Sequence, residues 1–192
     1  MKFEFETENR ELLAHLRELS DKVQPAATAS ALNSAGTKVR QWAVRDASKR
    51  TGVPAKLLRR RIAIPKGQRA TARKPFLLMF GGLWPIKVSK LTPKPRRLKG
   101  GRVKYKTMPG QPVDPNAFIA PHKGGGDSVF VRKGQSRLPI KNVTVNVGPS
   151  VRLGLIRALR SQEARAYFER MLFSQMDRRV RSSLRRKGLE VS

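Results

Sequence analysis

The stretch "DASKRTGVPAKLLRRRI", Asp46 to Ile62, decides how the chain is to be read. Gly52 suits the left-handed position that ends a helix, and Pro54 suits the first turn of a new one. Two architectures follow. In a DNA-reading helix-turn-helix, Val53 to Ile62 would be the helix laid in the major groove. In a structural protein the same residues are a joint between two helices, the second carrying charge at its end. The second limb offers Lys56, Arg59, Arg60 and Arg61. The arginines crowd its C-terminal end, where they complement the helix dipole. Groove readers contact bases with the N-terminal residues instead. No Asn, Gln, Ser or Thr from Pro54 to Ile62 sharpens base choice. The pattern predicts a joint bearing sequence-tolerant charge. A sequence-tolerant nucleic-acid-binding protein with a helix-turn-helix-like segment is the alternative.

Upstream, "VQPAATASALNSAGTKVRQWAVRDASKRTGV" (23–53) predicts a long helix from Pro25, through Val39, Ala43 and Ala47, to Gly52. Its side chains are unusually small. Ala26, Ala29, Ala35 and Gly36 would let another backbone approach closely, either inside a packed core or at a contact between subunits. Before it, "NRELLAHLRELSDKV" (9–23) carries Leu12, Leu16, Leu19 and Val23 at helical spacing, with Asn9 as the N-cap. "KFEFETE" (2–8) alternates and predicts a short strand.

Downstream, from Pro65 to Pro115, the periodicity dissolves. Prolines and glycines recur among basic residues, Lys94, Arg96, Arg97, Lys99, Arg102 and Lys104 included. "RATARKPFLLMF" and "WPIKVSKL" are candidate strands. The remainder predicts a long basic arm or loop that orders on contact with a partner. Regular structure resumes at Ala117. "AFIA" (117–120) predicts a strand, and "SVFVRKGQSRLPIKNVTVNV" (128–147) a hairpin with "RKGQSR" at its tip. "GPS" ends the sheet. A last helix is expected over about 161–187, with Phe168, Leu172, Met176, Val180 and Leu184 down one face and Arg185, Arg186 and Lys187 at its basic end.

The charge sets the class of partner. Across 192 residues, 42 Lys and Arg stand against 13 Asp and Glu, a net charge of +29. Six of the 13 acids lie between Glu4 and Asp21, and none lies between Ala47 and Val113, where there are 19 basic residues. Such a field repels copies of itself and calls for polyanions or acidic protein surfaces. Chemistry finds little footing. There are no cysteines, so no disulfide framework or thiolate metal site. His15 and His122 stand far apart. "GGG" before Asp127 is a poor phosphate cradle, and no Walker pattern exists. "NVT" at Asn142 matches a glycosylation acceptor without any secretory context. The chain is expected to be non-enzymatic, with no cofactor and no metal. Its N-terminus is charged and alternating, unlike a signal peptide. The longest apolar run, "PFLLMFGGLWPI" (75–86), falls short of a membrane span and is broken by Gly81, Gly82 and Pro85.

The order and spacing of these pieces resemble the minor tail protein Z family, the tail-completion proteins of long-tailed phages. The similarity runs through the 23–53 helix, "LLRRRI" (57–62), "AFIA", "VFVRKGQSRLPIKNVTVNVGPSV" (129–151) and "YFERMLFSQMDRRVRSSLRR" (167–186). "RLPI" and "GPSV" carry the most weight, with the length. The resemblance implies a structural virion protein, made in the host cytoplasm and placed at the head-proximal end of the tail. There it would complete the tail for head joining and DNA passage. It further implies a symmetric homo-oligomer of six copies, or twelve, beside the tail terminator and neck or tail-tube proteins. The basic residues would hold the end of the packaged DNA or dock on acidic rings. The fold expected is a single α+β domain over residues 1–192. An antiparallel sheet packs against long helices, and residues 65–115 form the basic arm.

Overall fold

The computed structural model describes residue 17 and residues 19–92, 94–110, 113–121 and 126–186. The strand expected at 2–8, most of the helix expected at 9–23, both histidines and Lys187 lie outside the described residues. The architecture is α+β, with long helices and small antiparallel sheets, as the sequence predicts. The chain divides into two compact units. One holds the chain up to Arg40, residues 64–80 and everything from Ala158. The other holds Gln41–Ala63 and Gly81–Arg157.

Helix α1 spans Gln24–Thr51 and follows directly on a π-helical turn, Leu19–Val23. Alanine favours the helical state because it loses no side-chain entropy there. In the first unit α1 buries Ala27, Ala29, Ala31, Ala35 and Val39. Small side chains let the chain at 64–80 come close. A Cβ added at Gly36 would lie 2.8 Å from a Leu77 methyl. Asn33 then acts as a surrogate strand. Its Nδ2 donates to the Ala70 carbonyl at 2.9 Å, and its Oδ1 accepts from the Ala70 amide at 3.0 Å. The helix Gln162–Arg186 also belongs to this unit, with its N-cap supplied by Ser161, whose Oγ accepts from the Ala164 amide. Phe168, Leu172, Met176, Val180 and Leu184 form its half-buried stripe, at the positions that the periodicity names. Arg179 donates from Nη2 to Ser30 Oγ at 2.8 Å, tying it to α1.

In the second unit α1 ends where the punctuation predicts. The Gly52 amide donates to the Ser48 carbonyl, and Gly52 takes φ 63°. Helix α2, Ala55–Leu58, is a single turn that buries Leu58. Short strands follow: β1 (Ile62–Ala63), β2 (Phe80–Gly81), whose first residue belongs to the first unit, and β4 (Arg96–Arg97) paired with β5 (Val103–Lys104). β3 (Ile86–Lys87) pairs with the late strand β9 (Thr144–Val145), Ile86 opposite Val145. β6 (Ala117–Pro121), β7 (Asp127–Arg132) and β8 (Ile140–Asn142) form an antiparallel sheet in that order, with Arg132 opposite Ile140 across the expected hairpin tip. Val143 joins the two ladders. Its amide donates to the Val129 carbonyl, and its carbonyl accepts from the Val88 amide. Residues 65–115, expected as an arm, thus carry β2 to β5 and bury Ala70, Ile86, Val88, Val103 and Tyr105.

A helix not expected from the sequence follows the sheet. α3 covers Gly148–Arg160, where "GPS" was expected only to end a strand, and α4 is the Gln162–Arg186 helix already described. Asn146 Oδ1 accepts from the Gly148 amide at the start of α3, and Pro149 sits in its first turn. Val151 and Ala158 are buried from it, with Leu155 between them at helical spacing. Gly154 brings α3 against α1: a Cβ there would stand 3.0 Å from the Ala43 carbonyl oxygen.

Candidate basic interface

The β4–β5 hairpin concentrates charge by register. Val103 and Tyr105 point inward and are buried. Side chains alternate along a strand, so Lys104 and Lys106 turn the other way, as do Lys94 and Arg96 on the facing limb. Lys94, Arg96, Lys104 and Lys106 line one cleft of about 760 Å³ with Leu91, Thr92 and Tyr105. The ladder is extended by the Lys106 amide, which donates to Thr92 Oγ1 at 2.8 Å. Tyr105 Oη accepts from the Asp114 amide, which fixes the far end. The turn needs its glycines. Gly100 and Gly101 take φ 78° and 77°, and the Leu98 amide closes the loop on the Arg102 carbonyl at 2.7 Å.

Arg96 lies directly opposite Lys104. Like charges in a cross-strand pair are unfavourable, on a scale where such pairs are worth about 0.2–1 kcal/mol. No acid occurs between Ala47 and Val113 to relieve them. An anion brought from outside reverses the sign of that cost. Lys99 and Arg102 are exposed at the turn, and exposed Arg97 reaches the Ile119 carbonyl at 3.5 Å. The structure thus gathers six predicted residues on one hairpin and adds Lys106, which the sequence reading did not single out. Its signal was the alternation of "RVKYK" (102–106) alone.

The residues after α2 divide. Lys56, Arg59 and Arg60 are exposed. Arg61 is held inward. Its guanidinium stacks over the Trp84 ring at 4.5 Å, and Nη2 donates to the Pro85 carbonyl at 3.3 Å. Burial pushes its pKa below the usual arginine value. Arg60, Arg61 and Lys90 share a cleft of about 270 Å³ with Leu57, Trp84 and Ile86. A four-residue helix rises only about 6 Å, and the three arginines lie beyond its end. This geometry does not present a groove-reading helix.

In the other unit, α4 carries its own row. Ser174, Arg178, Arg181 and Arg185 recur at helical spacing and, with Asp177, Ser182 and Arg186, border a groove of about 640 Å³. Arg181 pairs with Asp177 at 2.9 Å, both largely exposed. Arg186 Nε donates to the Ser182 carbonyl near the helix end. Arg185 and Arg186 were candidates from the sequence, and Arg178 and Arg181 lie in the same basic stretch of the helix, "RRVRSSLRRKG". The small-residue set is spent within the chain. Ala29 and Ala35 are buried, Ala26 is half-buried, and Gly36 is covered by Leu77. Among the described residues no cluster of His, Cys, Asp or Glu could hold a metal, and no helix is long and apolar enough to cross a membrane.

Comparison with known proteins then gives the family. The family model for prophage minor tail protein Z matches residues 10–187, nearly the whole chain, and the chain belongs to that family. It is a phage tail structural protein, whose neighbours are other tail proteins. No curated protein and no solved structure matches it.

Proposed function

We propose that this protein completes the head-proximal end of the tail, so that the tail can join a head and pass DNA. It acts as a ring of six copies, with twelve as the alternative count, beside the tail terminator. Family membership supports the tail location. The observation that carries the rest is the cationic hairpin face, where Arg96 opposes Lys104 with no acid nearby in the sequence. A face built that way is completed by an anion. At a head–tail joint the anions on offer are DNA phosphates and the acidic faces of neighbouring rings. Phosphate contact of this kind gives affinity and position without sequence information.

The arginine row on α4 favours a second reading, in which the isolated protein binds duplex DNA without regard to sequence. A cryo-EM map of the particle neck tests the first reading. A ring at the head-proximal tail end, with the β4–β5 hairpin against DNA or an acidic ring, is the expected result. Density for the protein only at the distal tail tip would sink it. Tight, salt-sensitive duplex binding by a protein absent from purified particles would leave the second reading standing alone.

A further inference from the structure

Arg61 stands apart from the exposed cations around it, and the β4–β5 face makes no use of it. Its surroundings in the second unit are built in layers. The Gly82 amide donates to the Arg61 carbonyl at 2.7 Å, which holds the two segments side by side. Gly82 is buried, and a Cβ there would stand 2.7 Å from Trp84 Cη2, so the indole packs where glycine leaves it room. The Arg61 guanidinium lies over that ring, 4.5 Å from its centroid, and Nη2 donates to the Pro85 carbonyl. Stack and hydrogen bond together fix the guanidinium plane. Its other N–H groups have no acceptor among the described residues. Leu57 and Ile86, the latter held in the β3–β9 ladder, wall the cleft of about 270 Å³, which exposed Arg60 and Lys90 also border. Burial has already taken water from Arg61, so less hydration remains to be lost when an anion arrives.

We propose that this cleft takes a carboxylate side chain from an acidic segment of a partner protein. A fixed guanidinium presents parallel N–H groups that match the two oxygens of a carboxylate. Leu57, Trp84 and Ile86 suit the methylene stem of a glutamate, and Arg60 and Lys90 attract the acids beside it. A duplex phosphate fits less well. It carries a sugar on either side and cannot follow a single side chain into a cleft of this size. The acids of the second unit are Asp46, Asp114 and Asp127, and they are engaged or placed elsewhere. Asp46 pairs with Arg50 at 2.8 Å, Asp114 Oδ1 accepts from the Asn116 amide, and Asp127 lies opposite Pro121 at the start of β7. The inference rests on the tail-end reading and deepens it, giving the residues after α2 a neighbouring protein as their partner instead of DNA.

The chain has two tryptophans, so Trp84 reports on its own cleft once Trp42 is replaced by Phe. Full-length Trp42→Phe protein is titrated with an acetylated hexaglutamate peptide, with hexaglutamine, and with a DNA duplex of mixed sequence. The expected result is a change in Trp84 emission with hexaglutamate that hexaglutamine does not give. Adding Arg61→Lys should weaken the peptide by about tenfold, because lysine keeps the charge and loses the fork. The same change should leave duplex affinity within about twofold, because phosphate neutralisation needs only the charge. Lys90→Gln alters an exposed side chain and keeps the test open if Arg61→Lys does not fold. It should weaken the peptide more than Arg152→Gln does, an equal loss of charge at an exposed position of α3 that does not line the cleft. Peptide binding that ignores these changes and leaves Trp84 emission unaltered overturns the inference. So does a duplex that changes Trp84 emission and loses as much affinity as the peptide with Arg61→Lys. A peptide that does not bind, as when a carboxylate of the chain itself fills the cleft, overturns it too. Mass spectrometry of purified particles tests the tail-end reading separately. Protein absent from particles overturns that reading even where the peptide binds, and protein present with an unresponsive cleft overturns this inference alone.

Discussion

Single residues hold this fold where small parts must meet. Asn33 is the clearest case. Its amide satisfies both polar groups of Ala70 at once, in a setting where leaving them unpaired costs about 1–3 kcal/mol. Asn33→Ala should lower the melting temperature by about 2–4 °C for each kcal/mol lost. Asn33→Asp should behave almost as badly, because a carboxylate accepts from the Ala70 amide but cannot donate to its carbonyl. Scanning calorimetry of the two variants checks this, and an unchanged transition for Asn33→Ala would show that the pairing contributes nothing. Gly154 tests the other unit. Alanine there pushes a Cβ to 3.0 Å from the Ala43 carbonyl, a backbone atom with little room to yield. The expected loss is in the overpacking range of about 1–3 kcal/mol. Neither residue announces itself in the sequence. Asn33 looks like an ordinary polar position on a helix, and Gly154 like a weak point in one. Gly52 does announce itself, because a glycine before Val-Pro marks the end of a helix by local stereochemistry alone.

Among the elements, the β4–β5 hairpin shows what periodicity can and cannot convey. Its strands are two residues long, so the brief alternation at 102–106 was the only trace they left in the sequence. The inward residues, Val103 and Tyr105, were hidden among lysines and arginines, and the stretch therefore read as an arm. α3 was missed for a related reason. Gly148 and Pro149 suggested the end of a strand, yet Gly-Pro also opens a helix once Asn146 supplies the cap. Long elements were legible because burial repeats along them, as on α4 from Phe168 to Leu184. The hairpin makes a prediction with two opposed signs. Lys104→Glu turns the repulsive pair with Arg96 into an attractive one. The free protein should gain stability, on the scale of about 0.2–1 kcal/mol per cross-strand pair. Binding to a polyanion should weaken at the same time. Thermal melting and a duplex-binding titration on the same sample test both, and a variant that is less stable and binds as before would show that the pair plays no such role. Amide exchange adds a second check at this scale. The Val88 amide, bonded to the Val143 carbonyl, should exchange slowly in the free protein. Fast exchange there would mean that this part of 65–115 is not packed before assembly.

For the whole molecule, family and charge were readable early because both are properties of order and composition. The two-unit division was not, since residues 64–80 and the chain beyond Ala158 join the first unit by tertiary contact alone. The basic sites were readable as residue types but not as groupings. Lys106, Arg178 and Arg181 join their clusters through register and helical spacing, which require the fold. The functional prediction follows from those groupings. Lys94, Arg96, Lys104 and Lys106 share one face and should act together on one anion. Replacing all four by Gln removes charge without exposing Val103 or Tyr105, so the hairpin should stay folded. If the anion is DNA, each lost phosphate contact should flatten the log–log salt dependence of binding by about 0.9. The loss should be equal for unrelated duplexes, because backbone contacts carry no sequence information. If the anion is an acidic ring, duplex binding should change little while the joining of heads to tails falls. On the proposed completion role, tail length should stay normal in either case, since completion would follow growth of the tube. Electron microscopy of particles assembled with the variant measures length and joining together. Tails of altered length would move the protein from completion to length control, and normal joining with unchanged DNA binding would remove the hairpin face from the mechanism.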